Sequence, residues 1–199
     1  MGFITIFGGT FNPIHIGHCE IIRELSANPL VDSLILIPTK IPPHKSSAFL
    51  ASAEHRYKMC EIIANDYNNV TVSSIELYRE GLSYTIDTVN SLIKLYPNRD
   101  IALTIGGDML VSFSRWKDYL QLLKKCTLFV FKRTDVTDVE YTDAIKHLTD
   151  LGAKIVEINK TITDISSTEI RKSFSLNKHC VYLDPRINDY IQNNNLYGV

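Results

Sequence analysis

Short, near-continuous apolar runs alternate along this chain with segments of helical period, and that alternation restricts the fold more than any other feature. The runs occupy residues 3–7, 34–37, 70–72, 101–105, 128–131 and 154–157. Gly8-Gly9, Pro38 and Gly106-Gly107 end the first, second and fourth of them. Runs without an apolar–polar alternation are expected of strands covered on both faces. Between them, residues 18–27 place Ile21, Ile22 and Leu25 on one side of a helix. Residues 52–65 open on Ser52 as a cap and bring Tyr57, Cys60, Ile63 and Ala64 together, and residues 84–96 stop at Pro97. Further helices are expected near 117–125, 138–150, 166–174 and 186–194. Strand–helix alternation of this kind predicts right-handed crossovers and an α/β fold built on a doubly wound parallel sheet. Its ligand crevice would lie beyond the carboxyl ends of the strands, at Gly8-Gly9, Pro38, Gly106-Gly107 and Lys132-Arg133.

Composition sets the class of partner. At 199 residues and 45% apolar, the chain is long enough for one domain with a buried core and no disulfide scaffold. We read 1–199 as that single domain, with 165–199 as a small C-terminal helical part. Lys and Arg number 21 against 22 Asp and Glu, with no basic run, which argues against a nucleic-acid binder. No apolar stretch approaches the ~18–20 residues of a membrane span. The first residues lack a signal peptide's basic start, and Ile6 stands where a myristoylation motif wants Ser or Thr. Cys19, Cys60, Cys126 and Cys180 are scattered, so they are expected to be reduced and mostly buried, as in a cytoplasmic protein.

Two motifs carry chemistry. The first is Gly8-Gly9-Thr10-Phe11-Asn12-Pro13-Ile14-His15-Ile16-Gly17-His18, directly after the first strand. Its glycines allow a sharp turn and close approach to a ligand, and Gly17 allows tight packing where the chain enters the helix. His15 and His18 arrive near a helix N-terminus, whose unpaired N–H groups and partial positive charge suit phosphate. A zinc site would need a third ligand that the sequence does not place nearby. Neither a G-x-x-x-x-G-K-[ST] loop nor a G-x-G-x-x-G fingerprint occurs, so phosphate is handled in another way. The second motif is Ile165-Ser166-Ser167-Thr168-Glu169-Ile170-Arg171. Ser166 and Glu169 form a capping box, and Ser167, Thr168 and Arg171 could converge on one anion.

These two motifs together resemble the nucleotidyltransferase superfamily with the HIGH-type motif. Four further segments resemble the bacterial nicotinate-nucleotide adenylyltransferases. They are Pro42-Pro43-His44-Lys45, Ser83 to Thr88, Gly106-Gly107-Asp108 with Trp116, and the ending Tyr190-Ile191 through Leu196-Tyr197. Asn12 departs from the Asp usual in that family, and Gly107 from its Ala. The resemblance implies a Rossmann-like fold and transfer of AMP from ATP to nicotinate mononucleotide, giving deamido-NAD and pyrophosphate. It implies His15, His18 and Arg171 as the catalytic set. ATP would lie on Gly8, Gly9, Thr10, Phe11, His15, His18, Gly106, Asp108, Ser167, Thr168 and Arg171. Nicotinate mononucleotide would lie on His44, Lys45, Thr85, Asp108, Trp116 and Arg133, with Trp116 stacked on the pyridine ring and Thr85 at its carboxylate. Mg²⁺ would come with ATP, and the protein would hold no metal of its own. His55, His147 and His179 are read as structural or solvent-exposed. A related acceptor (nicotinamide mononucleotide or phosphopantetheine) and a non-catalytic nucleotide-binding module stay open as rivals, as does association into a homo-oligomer.

Overall fold

The computed structural model describes residues 2–40, 50–132, 136–174 and 180–198. Among them are six strands: β1 (Phe3–Gly9), β2 (Val31–Pro38), β3 (Val70–Val72), β4 (Ile101–Gly106), β5 (Cys126–Phe131) and β6 (Lys154–Ile158). All pair in parallel in the order β3-β2-β1-β4-β5-β6. The expected doubly wound sheet is present. Its winding reverses between β1 and β4, which makes the ends of those two strands the natural crevice.

Both faces of the sheet are covered, which explains the unbroken apolar runs. Phe129 and Phe131 of β5 join a core with α1 (Ile16–Ala27), α2 (Ala53–Ala64), α7 (Ser167–Phe174) and α8 (Pro185–Asn193). Their neighbours Leu128 and Val130 join the opposite core, beneath α3 (Thr85–Leu95), α4 (Gly107–Val111), α5 (Tyr119–Lys125) and α6 (Asp138–Asp150). Fully burying one such side chain is worth ~1.5–3 kcal/mol, so the central strands are apolar at most positions. The C-terminal helices share the first core through Ile170, Phe174, Ile187 and Ile191.

Two differences from the sequence reading have local causes. Helix α1 begins at Ile16, two residues earlier than the pattern indicates, because His15 takes the N-cap position without being a usual cap residue. There the His18 Nδ1 accepts the His15 N–H at 3.3 Å, and the Tyr182 carbonyl accepts the Ile16 N–H at 2.9 Å. On α2 the buried stripe is Arg56, Met59, Cys60, Ile63 and Ala64, so Arg56 rather than Tyr57 lies inward. The expected cap at Ser52 is present, its hydroxyl accepting the His55 N–H at 3.3 Å.

Asp184 caps α8, and the Arg186 guanidinium forks onto Asp66 at 2.8 and 2.6 Å, joining α8 to the end of α2. Arg186 also donates to the Asp184 carboxylate at 2.9 Å, and its bonds hold both the Asp66 and Asp184 carboxyls below the usual range. Cys60, Cys126 and Cys180 are buried, Cys19 is half-buried, and none is bridged. Burial pushes the Cys19 and Cys126 thiols up to about 12 and Cys60 in the same direction, so they behave as small apolar groups. Among the described residues no helix is long and apolar enough to cross a membrane.

Candidate active site

The first motif runs from the end of β1 into α1. Phe11 takes a left-handed backbone (φ 47°), and a Cβ on Gly9 would stand 3.0 Å from the Phe11 ring. The Phe11 side chain is buried, edge-on to His18 at 5.0 Å between ring centroids, so it supports the turn and leaves only its backbone for a nucleotide. The His15 and His18 rings lie 3.7 Å apart, inclined at 37°. His15 is only 6% exposed and His18 half-buried, so His18 is the more accessible donor. Because the His18 Nδ1 accepts a backbone N–H, the proton of the neutral ring belongs on Nε2, which can then donate to an anion.

The second motif reaches the first across the whole chain. The Ser167 hydroxyl donates to the Pro13 carbonyl at 3.0 Å, and Arg171 donates through Nη1 to the Asn12 carbonyl at 2.8 Å. A second Arg171 nitrogen donates to the Thr168 hydroxyl at 3.1 Å. The capping box is present: Ser166 gives both its N–H (2.8 Å) and its O–H (2.7 Å) to Glu169, and its hydroxyl accepts the Glu169 N–H at 3.2 Å. Glu20 of α1 accepts the Thr163 N–H at 2.7 Å and its hydroxyl at 2.9 Å, drawing the segment before α7 across α1. The N-termini of α1 and α7 therefore stand beside each other, around His18 and Arg171. The two motifs, far apart in the chain, are neighbours in the fold.

Gly17 is the contact that permits this approach. A Cβ there would meet the Thr163 carbonyl oxygen at 2.9 Å and the His15 Nδ1 at 3.3 Å. Gly17→Ala is expected to cost about 1–3 kcal/mol, as other overpacked sites do, and to lower kcat at least tenfold by shifting α7 against α1. Thermal melting and steady-state rates check this. Unchanged values of both would show that the two segments are not pressed together.

Asn12 is 5% exposed and works as a junction. Its side-chain oxygen accepts the Tyr197 O–H at 2.8 Å and the Ala51 N–H at 3.1 Å. Burial raises the Tyr197 phenol well above its ordinary value, so it stays a donor.

On the other face, Gly106 caps α4, and Asp108 is exposed in its first turn, at the end of β4. Thr85 is the first residue of α3, half-buried. Trp116 stacks on Phe113 at 5.0 Å and leaves part of its ring accessible. Its neighbour Lys117 places an ammonium 4.2 Å above the ring of Tyr84, the cap of α3, so Trp116 and Thr85 belong to adjoining segments. His44, Lys45 and Arg133 lie outside the described residues, as does His179. His55 is structural as expected, its ring nitrogen 2.9 Å from the Tyr190 hydroxyl, and His147 is exposed.

Two buried charged residues escaped the sequence reading. Arg56 is fully buried, and Glu76 is 7% exposed. Glu76 accepts the Thr88 hydroxyl at 2.7 Å, and the Arg79 guanidinium donates to that same hydroxyl oxygen at 2.8 Å. Burial pushes the Glu76 carboxyl upward, against the Thr88 hydroxyl bond and the Arg79 charge. Arg56 had a legible sign. It stands three, four and seven residues before Met59, Cys60 and Ile63, in the inward stripe of α2.

A parallel sheet reversing between β1 and β4, with two anion-ready helix N-termini beyond β1, defines a nucleotide-handling α/β protein. Consistent with that geometry, the cytidylyltransferase-like family model matches residues 6–173, and the chain belongs to that family. A probable nicotinate-nucleotide adenylyltransferase of Carboxydothermus hydrogenoformans is 35% identical over 98% of this chain and 97% of its own. One from Fusobacterium nucleatum is 37% identical over 84% and 85%. Within the wider class, then, the chain belongs to the nicotinate-nucleotide adenylyltransferases. Its fold is also that of the Plasmodium falciparum nicotinic acid mononucleotide adenylyltransferase complexed with NaAD, with a TM-score of 0.80 and 22% identity over 99% and 98% of the two chains.

Proposed function

We infer that this chain transfers the adenylyl group of ATP to nicotinate mononucleotide, forming deamido-NAD and releasing pyrophosphate in NAD biosynthesis. The observation that carries this reading is the meeting of the two motifs, through Ser167 with Pro13 and Arg171 with Asn12. An acceptor phosphate oxygen attacks the α-phosphorus of ATP in line. The bond from that phosphorus to the bridging oxygen breaks, and its electron pair leaves with pyrophosphate. The acceptor is itself the nucleophile, so the protein's task is positioning and charge stabilisation.

In this reading His18 and His15 donate to the phosphates, and the backbone of Gly8 to Phe11 cradles them. Arg171, Ser167 and Thr168 hold the departing pyrophosphate. Gly106 and Asp108 line the opposite wall, Asp108 at a ribose hydroxyl. The acceptor's pyridine ring stacks on Trp116, with its carboxylate at Thr85 and the N–H groups opening α3, where the helix dipole favours a negative charge. The donors around His18 and Arg171 are N–H and O–H groups, which suit phosphate oxygens, whereas magnesium prefers oxygen ligands. Mg²⁺ would therefore be carried by ATP oxygens and water, and when bound it neutralises part of the triphosphate charge. Four unbridged cysteines fit a reducing cytoplasm.

The test is pyrophosphate release and dinucleotide formation from ATP with nicotinate mononucleotide, nicotinamide mononucleotide and phosphopantetheine in turn. Nicotinate mononucleotide is expected to be preferred in kcat/KM by at least ~10²-fold, because its charge is what the α3 N-terminus would read. ATP binding without pyrophosphate release with any acceptor would leave a binding module. Preference for another acceptor would move the assignment to that substrate.

A further inference from the structure

Arg56 is buried without a carboxylate bonded to it among the described residues. Each hydrogen bond it makes there ends on a main-chain carbonyl. Nη1 donates to Thr10 at 2.8 Å and Thr39 at 2.6 Å, Nη2 to Lys40 at 3.0 Å, and Nε to Ala51 at 3.0 Å. Those carbonyls come from three separate stretches: the turn after β1, the two residues after β2, and the approach to α2. Only a planar fork with several donors spans such a set, since the three donors of a lysine radiate from one atom.

The bonds connect the two halves of the crevice. On one side, Thr10 lies two residues before Asn12, whose carbonyl takes Arg171. On the other, the Lys40 ammonium donates to the Arg79 carbonyl at 3.1 Å, Arg79 donates to the Thr88 hydroxyl, and Thr88 lies one turn beyond Thr85 on α3. A continuous series of bonds thus runs from the ATP turn through Arg56 to the helix assigned to the acceptor's carboxylate. A guanidinium removed from water is costly before compensation. Burial is accordingly the first influence lowering its proton affinity. For holding a fold together, an apolar side chain would serve a core position at less cost.

We propose that Arg56 is a positioning residue for the transfer reaction: by clasping Thr10 to Thr39 and Lys40 it sets the ATP turn in register with the acceptor side, without touching either substrate. The inference rests on the adenylyl-transfer reading above. In-line attack demands that two bound molecules be aligned with each other, and a misplacement of about 1 Å costs ~10²-fold in rate. Loss of the clasp therefore spares the binding of each substrate alone and impairs the reaction between them.

The experiment uses the full-length Arg56→Lys, Arg56→Met and Arg56→Ala proteins, assayed well below their melting temperatures. Dissociation constants for ATP and for nicotinate mononucleotide, measured separately by calorimetry, should stay within about fivefold of the parent, while kcat falls by ~10²-fold. Millimolar guanidinium should restore at least about tenfold of the loss in Arg56→Ala, and urea at the same concentration should not, because only the cation matches the lost donors and charge. Folded variants with parental kcat would overturn the proposal, as would a loss confined to the dissociation constants or equal rescue by urea. Variants that fail to fold with and without guanidinium would reduce Arg56 to a fold element and overturn it too. The parent is assayed first: an inactive parent sinks the functional reading, whereas an active parent with unimpaired variants sinks this inference alone.

Discussion

Replacing His18 by alanine is expected to lower kcat by ~10²–10³, the usual effect of removing one donor to charge that develops in a transition state. His18 has a second task, since its Nδ1 accepts the His15 N–H at the start of α1. Losing a cap costs about 1 kcal/mol, which is small against the ~5–15 kcal/mol of a folded domain. The variant should thus remain folded, with a modestly lower Tm, and its rate loss cannot be unfolding. Circular dichroism and calorimetric melting, run beside steady-state kinetics, separate the two contributions. A folded His18→Ala protein with parental kcat would remove this imidazole from the chemistry. His15, almost wholly buried, lies with its ring centroid 3.7 Å from that of His18.

Arg171→Ala should produce a loss of similar size with a different signature. Hydrogen bonds to charged groups are worth about 1.5–3 kcal/mol, which corresponds to ~10–160-fold. In the resting protein Arg171 also ties α7 to the Asn12 carbonyl at 2.8 Å and meets Thr168 at 3.1 Å. Its removal therefore takes away a leaving-group partner and loosens the contact between the two motifs. We expect kcat to fall about 10²-fold or more and the KM for ATP to rise, whereas His18→Ala acts mainly on kcat. Arg171→Lys should recover only part of the activity, because one ammonium cannot reach the Asn12 carbonyl, the Thr168 hydroxyl and a phosphate together. Parental kinetics in a folded Arg171→Ala protein would place this guanidinium outside the reaction.

Much of the architecture was legible in the residues. The runs that end at Gly8-Gly9 and Gly106-Gly107 are β1 and β4, the run that ends at Pro38 is the C-terminal part of β2, and their unbroken apolar character reflects a sheet covered on both faces. Ser166 and Glu169 announced the start of α7 by a short-range rule and form that box. Where no such rule exists, the reading slipped. His15 is not a cap residue by propensity, so the start of α1 was placed late. An arginine on an apolar stripe contradicts the ordinary pattern, so the expected stripe of α2 matches at Cys60, Ile63 and Ala64 but has Tyr57 where Arg56 lies inward. Short α4, between β4 and the Phe113–Arg115 turn, has too few residues to show a period.

What the order of residues already contained was local: strand and helix types, the caps at Ser52 and Ser166, and a turn whose glycines and imidazoles suit phosphate. Each of these depends on neighbours within about one or two turns of chain, a distance over which spacing alone carries the signal. The folded molecule settled the partnerships across the chain: Arg171 on Asn12, Tyr197 on that same residue, Glu76 beneath α3, and Arg56 among carbonyls of three segments. Such contacts follow from how the helices pack on the sheet, and a main-chain carbonyl looks alike in every residue, so no letter of the sequence could mark it as a guanidinium's acceptor.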